Sequence, residues 1–278
     1  MRSVVIVIVL LVAELLVPKF PHPPIARAST VTTPPRWAVA AGSRILQLDR
    51  SGTGRVVVAL GDLRTARHIA VVVPGVGNSL GTFDDPLHPE RRPYGMAMAL
   101  RDALGPQRSP ARQDTAVIAW LGYRTPTLLS TESATGDLAR PGAARLATFV
   151  QRIRATAAPG VDISVICHSY GTVVCGLAAP KLPINRLVFL GSPGVRANSV
   201  RDLRTRAAVY AATARSDWIR WVPHLRIGDF GHGPDPTRRR FGAASLPTAG
   251  VTGHDGYFAP GSVTLRALAA LISQNRLG

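Results

Sequence analysis

At 278 residues the chain is long enough for one large domain with its own core. Its formal net charge is +17, carried almost wholly by arginine, since Lys19 and Lys181 are the only lysines. No helix-turn-helix, zinc-finger or RNA-binding signature accompanies that charge, so nucleic acid is excluded as the expected partner. Arginine, alanine, glycine and proline are abundant together, as in a chain encoded by GC-rich DNA. That bias explains most of the excess, and an association with an anionic envelope surface is the reading that remains for the rest.

The chain opens on a targeting pattern. Arg2 precedes an unbroken apolar run at residues 4–13, Glu14 interrupts it, and Ala26-Arg27-Ala28 is a small-x-small cleavage site. A membrane-spanning helix needs about 20 apolar residues, and this run is shorter. Residues 1–28 are therefore expected to be an export signal and the mature protein to be secreted or extracytoplasmic, with an uncleaved N-terminal anchor as the alternative. Residues 29–43 form a lead-in, and residues 44–278 the single domain.

Residues 44–48 and 55–60 are two short strands joined by the turn formers of 49–54, which predicts a hairpin. Residues 68–73 (H-I-A-V-V-V) are continuously apolar and end at Pro74-Gly75, as suits a strand buried on both faces of a parallel sheet. A helix is expected over 93–104 and a strand over 115–121. The clearest amphipathic helix covers 140–157, with Leu146, Phe149, Val150 and Ile153 on one face. Further strands are expected at 187–190 and 207–212, and a last helix at about 262–273. The stretch from 218 to 260 is long and rich in Gly, Pro and Arg, and a loop of that length beside a site is usually functional. Alternating strands and helices give an α/β fold with a mainly parallel sheet, helices on both faces and an N-terminal β-hairpin.

The most informative stretch is V-D-I-S-V-I-C-H-S-Y-G-T-V-V-C-G at 161–176. A β-branched run stops at His168-Ser169-Tyr170-Gly171, and an apolar run with helical spacing follows. This strand, sharp turn and helix form a nucleophile elbow, which presents Ser169 at the end of a sheet above a helix N-terminus. A serine hydroxyl needs a base, and the base needs an acid to hold its tautomer. In elbow hydrolases the chain order is serine, acid, histidine. Asp217 follows a late strand, and that position favours it as the acid over the alternative role of N-cap to a helical turn at Trp218-Ile219. His254 lies just before the last helix and fits the base, with His232 as the alternative. His168 should point away from the nucleophile. Oxyanion donors are expected at the backbone N–H of Tyr170 and of Val76, the latter in the Pro74-Gly75-Val76-Gly77-Asn78 loop. Cys167 stands where the G-x-S-x-G pattern has its first glycine. Cys167 and Cys175 form either a disulfide or two small buried thiols. No metal or organic cofactor is required.

The set G-D-L-R-T-A-R-H-I-A-V-V-V-P-G-V-G, A-W-L-G-Y, C-H-S-Y-G-T-V-V-C-G, V-F-L-G-S-P-G-V, H-G-P-D-P and G-H-D-G-Y-F resembles an actinobacterial α/β-hydrolase family of unassigned function. The resemblance runs from about residue 44 to the C-terminus. It implies the α/β-hydrolase fold and a triad of Ser169, Asp217 and His254, and it names no substrate. The expected activity is hydrolysis of a small-molecule or lipid-like acyl ester through an acyl-enzyme on Ser169. An amidase or peptidase with the same triad is one alternative. A non-catalytic envelope-binding protein on a hydrolase scaffold is the other. Trp218, Trp221, Tyr257 and Phe258 serve either as pocket lining or as buried aromatics.

Overall fold

A computed structural model describes Trp37 and residues 42–274. The predicted export signal, the lead-in apart from Trp37 and residues 42–43, and the last four residues lie outside it. Eight strands form one sheet: β1 (Ser43–Asp49), β2 (Arg55–Leu60), β3 (His68–Val73), β4 (Thr115–Leu121), β5 (Asp162–His168), β6 (Arg186–Leu190), β7 (Ala208–Ala212) and β8 (Ala244–Ser245). Their order is β1-β2-β4-β3-β5-β6-β7-β8. The hairpin β1–β2 joins the sheet antiparallel to β4, and every pairing from β4 to β8 is parallel. This is the mainly parallel sheet with an N-terminal hairpin that the sequence implied.

Among the described residues, four helices of two turns or more cover the sheet: α1 (Pro93–Ala103), α2 (Ala139–Thr156), α3 (Gly171–Ala178) and α4 (Val263–Ser273). Side chains alternate across each strand, so the central strands feed two cores. Ile69, Val71, Val73, Ile163, Val165 and Cys167 pack with α2 and α3. Ala70, Val72, Ile166 and Val188 pack with α1 and α4. Burial on both faces explains why β3, β4 and β5 read as continuous apolar runs rather than as alternation. Leu146, Val150 and Ile153 form the buried stripe of α2 as its spacing predicted, and Phe149 packs against the same core from its margin.

Element ends match the sequence reading to within a residue or so. The difference lies in the 218–260 stretch, whose composition predicts one long loop and which contains β8, pairing with β7 at Tyr210 and Ala211. A two-residue strand has no periodicity from which to be read. Trp37, inside the lead-in, is buried and meets Phe83 edge-on at 5.8 Å. At least that residue of the lead-in packs on the domain.

Candidate active site

The elbow forms because β5 ends at His168 and α3 starts at Gly171, leaving two residues to reverse the chain. Ser169 takes φ of 54°, a conformation that costs a non-glycine residue about 1–3 kcal/mol. Its surroundings hold it there. The Ser169 N–H donates to the Leu190 carbonyl at 2.9 Å, and the Ser169 carbonyl accepts from the Thr172 N–H and hydroxyl at 2.9 and 2.6 Å. Two neighbours must be glycine for the turn to fit. A Cβ on Gly171 would stand 2.5 Å from the Pro74 carbonyl oxygen, and one on Gly75 would stand 2.5 Å from the Ser169 Cβ.

Three side chains from far apart in sequence meet at this turn. The Nε2 of His254 lies 2.8 Å from the Ser169 hydroxyl, and its Nδ1 lies 2.8 Å from Oδ1 of Asp217. All three residues are buried. Asp217 follows β7, and His254 lies in the connection before α4. Ser216 ties those two segments together by donating to the Val251 carbonyl at 2.9 Å and accepting from the Gly253 N–H at 3.0 Å. One carboxylate serves both readings of Asp217, because its Oδ1 also accepts from the Ile219 N–H at 2.8 Å and so caps the helical turn Trp218–Trp221.

The electrostatics favour an ionised Asp217. Burial alone would raise its pKa, but hydrogen bonds from His254, Tyr257 and the Ile219 N–H outweigh burial and hold the carboxyl below its usual range. Tyr257 is a partner that the sequence reading had only as a pocket or core aromatic. Its hydroxyl donates to Oδ2 of Asp217 at 2.5 Å and accepts from the Ala214 N–H at 2.9 Å. Burial, with the Asp217 charge beside it, raises the phenol far above its ordinary pKa, so it stays a donor. Tyr257 and Phe258 are fully buried, whereas Trp221 is 72% exposed. Trp218 is half-buried, its ring 4.7 Å from that of His254.

The other histidines are placed differently. His168 points to the opposite face of the sheet from Cys167, and its Nε2–H donates to the His254 carbonyl at 2.7 Å. Its ring sits 4.7 Å from that of His254, and burial depresses its pKa to about 4, so it is a neutral prop behind that residue. His232 is not brought to Ser169. Its Nε2–H donates to the Ser133 carbonyl at 2.9 Å and its ring meets Tyr170 edge-on at 5.6 Å, also with a pKa lowered by burial to about 4.

Beside the serine, the 74–78 loop has its carbonyls engaged. Tyr123 donates to the Pro74 carbonyl at 2.7 Å, and the Asn78 side-chain amide donates to those of Gly75 and Val76 at 3.2 and 3.1 Å. The Gly77 N–H is taken by the Pro126 carbonyl at 2.9 Å. Among the described residues the N–H groups of Val76 and Tyr170 donate to nothing. That leaves the two predicted positions available as donors, with the positive end of α3 beneath them.

Cys167 and Cys175 are joined in a disulfide, their Cα atoms 6.5 Å apart. Strand alternation puts Cys167 on the α3 face of the sheet, and both residues sit in the same core. This decides between the bridge and the two free thiols that the sequence left open. The bond ties the strand of the elbow directly to its helix. With eight residues of sequence separation it should stabilise the fold by about 2–3 kcal/mol. Replacing both cysteines by serine, or adding reductant, is expected to lower the thermal midpoint by roughly 5–10 °C. A midpoint indifferent to both would show that the bridge restrains nothing.

The profile of one family, described as Alpha/beta hydrolase, matches residues 49–227. The chain belongs to the alpha/beta hydrolase family. Two uncharacterized Mycobacterium tuberculosis proteins, MT2140 and Rv2079, are each 32% identical to this alpha/beta hydrolase over 253 residues, covering 80% of it. The chain spans only 37% of the length of those relatives. Solved structures of similar fold include XC6422 of Xanthomonas campestris, titled an a/b serine hydrolase without lid. It shows 16% identity, TM-score 0.46, and coverage of 84% of this chain and 92% of that one. A thermostable esterase from Pseudomonas putida is another, at 12% identity, TM-score 0.46, and coverage of 84% and 83%. At those scores the sheet order and the family match carry the assignment.

Tyr257 and Ser216 are the positioning groups that sequence inspection of this alpha/beta hydrolase misses. Neither occupies a patterned position, and each acts through a partner about 40 residues away in the chain or somewhat nearer. Tyr257→Phe removes a donor to an ionised carboxylate, an interaction worth about 1.5–3 kcal/mol. It is expected to lower kcat at least ~10-fold while KM stays nearly constant, because the lost bond steadies Asp217 and touches no substrate. A comparable rise in KM would instead place the tyrosine in substrate binding.

Proposed function

We propose that this alpha/beta hydrolase is an exported serine hydrolase that cleaves a carboxylic ester through an acyl-enzyme on Ser169. The observation that carries the proposal is the His254 ring spanning 2.8 Å to Ser169 on one nitrogen and 2.8 Å to Asp217 on the other. Ser169 Oγ attacks the acyl carbonyl as His254 Nε2 takes its proton. Asp217, kept ionised, holds the Nδ1–H tautomer and offsets the imidazolium charge. The N–H groups of Tyr170 and Val76 receive the developing oxyanion, a stabilisation of about 3 kcal/mol per donor in a comparable hydrolase. His254 returns its proton to the departing alcohol. Water activated by the same ring then attacks the acyl-enzyme and frees the carboxylic acid and Ser169.

Ester cleavage is preferred to amide cleavage because an alkoxide asks less of leaving-group protonation than an amine does. A panel of p-nitrophenyl esters and matched anilides tests that choice. Labelling by a fluorophosphonate probe tests the chemistry, and a folded protein that neither labels nor cleaves p-nitrophenyl acetate would be the non-catalytic alternative. Support for export comes from the Cys167–Cys175 bridge, since structural disulfides persist in oxidising compartments. Among the described residues no helix is long and apolar enough to cross a membrane. A mature chain beginning near Ser29 in the culture fluid is the result that export requires. An intact Met1 start in the membrane fraction would identify the anchor.

A further inference from the structure

We propose that the rim of the active site is a docking surface for an anionic lipid layer, from which the site draws an acyl ester. The ester half of this statement rests on the serine-hydrolase reading; the docking half stands on the surface alone.

Nine large apolar side chains are exposed among the described residues, and six of them sit on two segments beside the site. Leu128 and Leu129 belong to the connection after β4. Trp221, Leu225, Ile227 and Phe230 belong to the connection after β7. These segments adjoin each other and the catalytic groups. The first begins at the oxyanion loop, where Pro126 accepts from Gly77. It ends against the second, where Gly231 donates to the Ala134 carbonyl and His232 to that of Ser133. The second starts at Asp217 and sets the Trp218 ring 4.7 Å from that of His254 before exposing Trp221. Soluble monomers rarely gather exposed apolar groups in this way without a partner.

The charge says which partner. Arg220 and Arg226 alternate with those apolar side chains, and neither has a carboxylate within ion-pair distance among the described residues. The single acid between residues 218 and 230, Asp229, is taken by Arg140 and Arg196. The rim therefore offers tryptophan and aliphatic side chains beside uncompensated guanidinium groups on a chain of net charge +17. That combination suits the boundary between acyl chains and anionic headgroups. A second copy of the chain would carry the same positive rim and be repelled.

The test uses the full chain and vesicles of phosphatidylglycerol with phosphatidylcholine, brominated on their acyl chains. Tryptophan fluorescence should be quenched on anionic vesicles and far less on pure phosphatidylcholine. Most of that quenching should vanish in Trp221→Phe. Because the signal reports Trp221 itself, lipid affinity of the apolar run at residues 4–13 does not mimic it. Each arginine is worth about five-fold in vesicle affinity, so Arg220→Gln with Arg226→Gln should weaken it roughly 25-fold. Quenching absent from both vesicle types, equal on both, or unchanged in Trp221→Phe overturns the docking surface, as does burial of Trp221 in a dimer. Ser169→Ala should quench like the parent. Cleavage of p-nitrophenyl acetate without quenching removes the docking claim alone, and quenching without cleavage removes the hydrolase claim alone.

Discussion

Ser169→Ala is expected to abolish fluorophosphonate labelling, and His254→Ala to lower kcat on a soluble ester on the order of 10⁴-fold or more. The size of the loss follows from how the groups act together. In the proposed mechanism the serine hydroxyl becomes a nucleophile only as Nε2 of His254, 2.8 Å away, removes its proton. Asp217→Asn should cost a similar order, because an amide at Oδ1 can present its NH₂ to Nδ1 and stabilise the wrong tautomer. His232→Ala is the informative contrast. That residue spends its ring N–H on Ser133 and meets Tyr170 by an edge, so its loss should leave kcat within about ten-fold. Should His232→Ala silence the protein while His254→Ala does not, the base has been misassigned. Burst kinetics on a p-nitrophenyl ester would check the acyl-enzyme independently.

Acid is expected to destabilise the fold steeply between pH 6.5 and 5, well above the range in which carboxylates titrate. Burial holds His168 neutral, with His254 lowering and Asp255 and Asp217 raising its proton affinity, for a net pKa of about 4. Burial does the same to His232, where the Ser133 carbonyl and Asp229 favour the proton and Arg196 opposes it, again at about 4. Released into water, both titrate near 6.5. Within that window the unfolded chain binds the protons that the native chain refuses, so stability rises with pH and is lost as pH falls. The slope approaches about 1.4 kcal/mol per pH unit for each histidine below its unfolded pKa, which integrates to about 3 kcal/mol for the pair between pH 6.5 and 5. His68 and His224 are shifted the same way by burial and add to the trend. A fall in thermal midpoint of roughly 6–12 °C should accompany it, and a His232→Gln variant should show a shallower slope. A midpoint constant from pH 7 to pH 5 would mean that these rings are protonated in the native protein.

Sequence alone determined what depends on local pattern and chain order. Runs such as 68–73 and 115–121 are apolar on both faces, and only a strand covered on both sides satisfies them. The elbow was legible because a serine between a β-branched run and a helical run has one compact solution. Asp217 and His254 are candidates by position, each following or preceding an element that the pattern also marks. Tertiary structure decided everything that depends on which face a side chain takes and what meets it there. Alternation along β5 turned Cys167 toward α3 and its disulfide, and sent His168 the other way to carry the His254 carbonyl. Packing brought Tyr257 to the second oxygen of Asp217 and Ser216 to the segment holding His254. It also left His232 on Ser133, a choice that no spacing announces. Local propensity propagates over a few residues, whereas the hydrogen bonds among these groups join residues about 40 to 100 apart, and only the closed sheet brings them within reach; the disulfide, though local in sequence, depends on which face of β5 Cys167 takes.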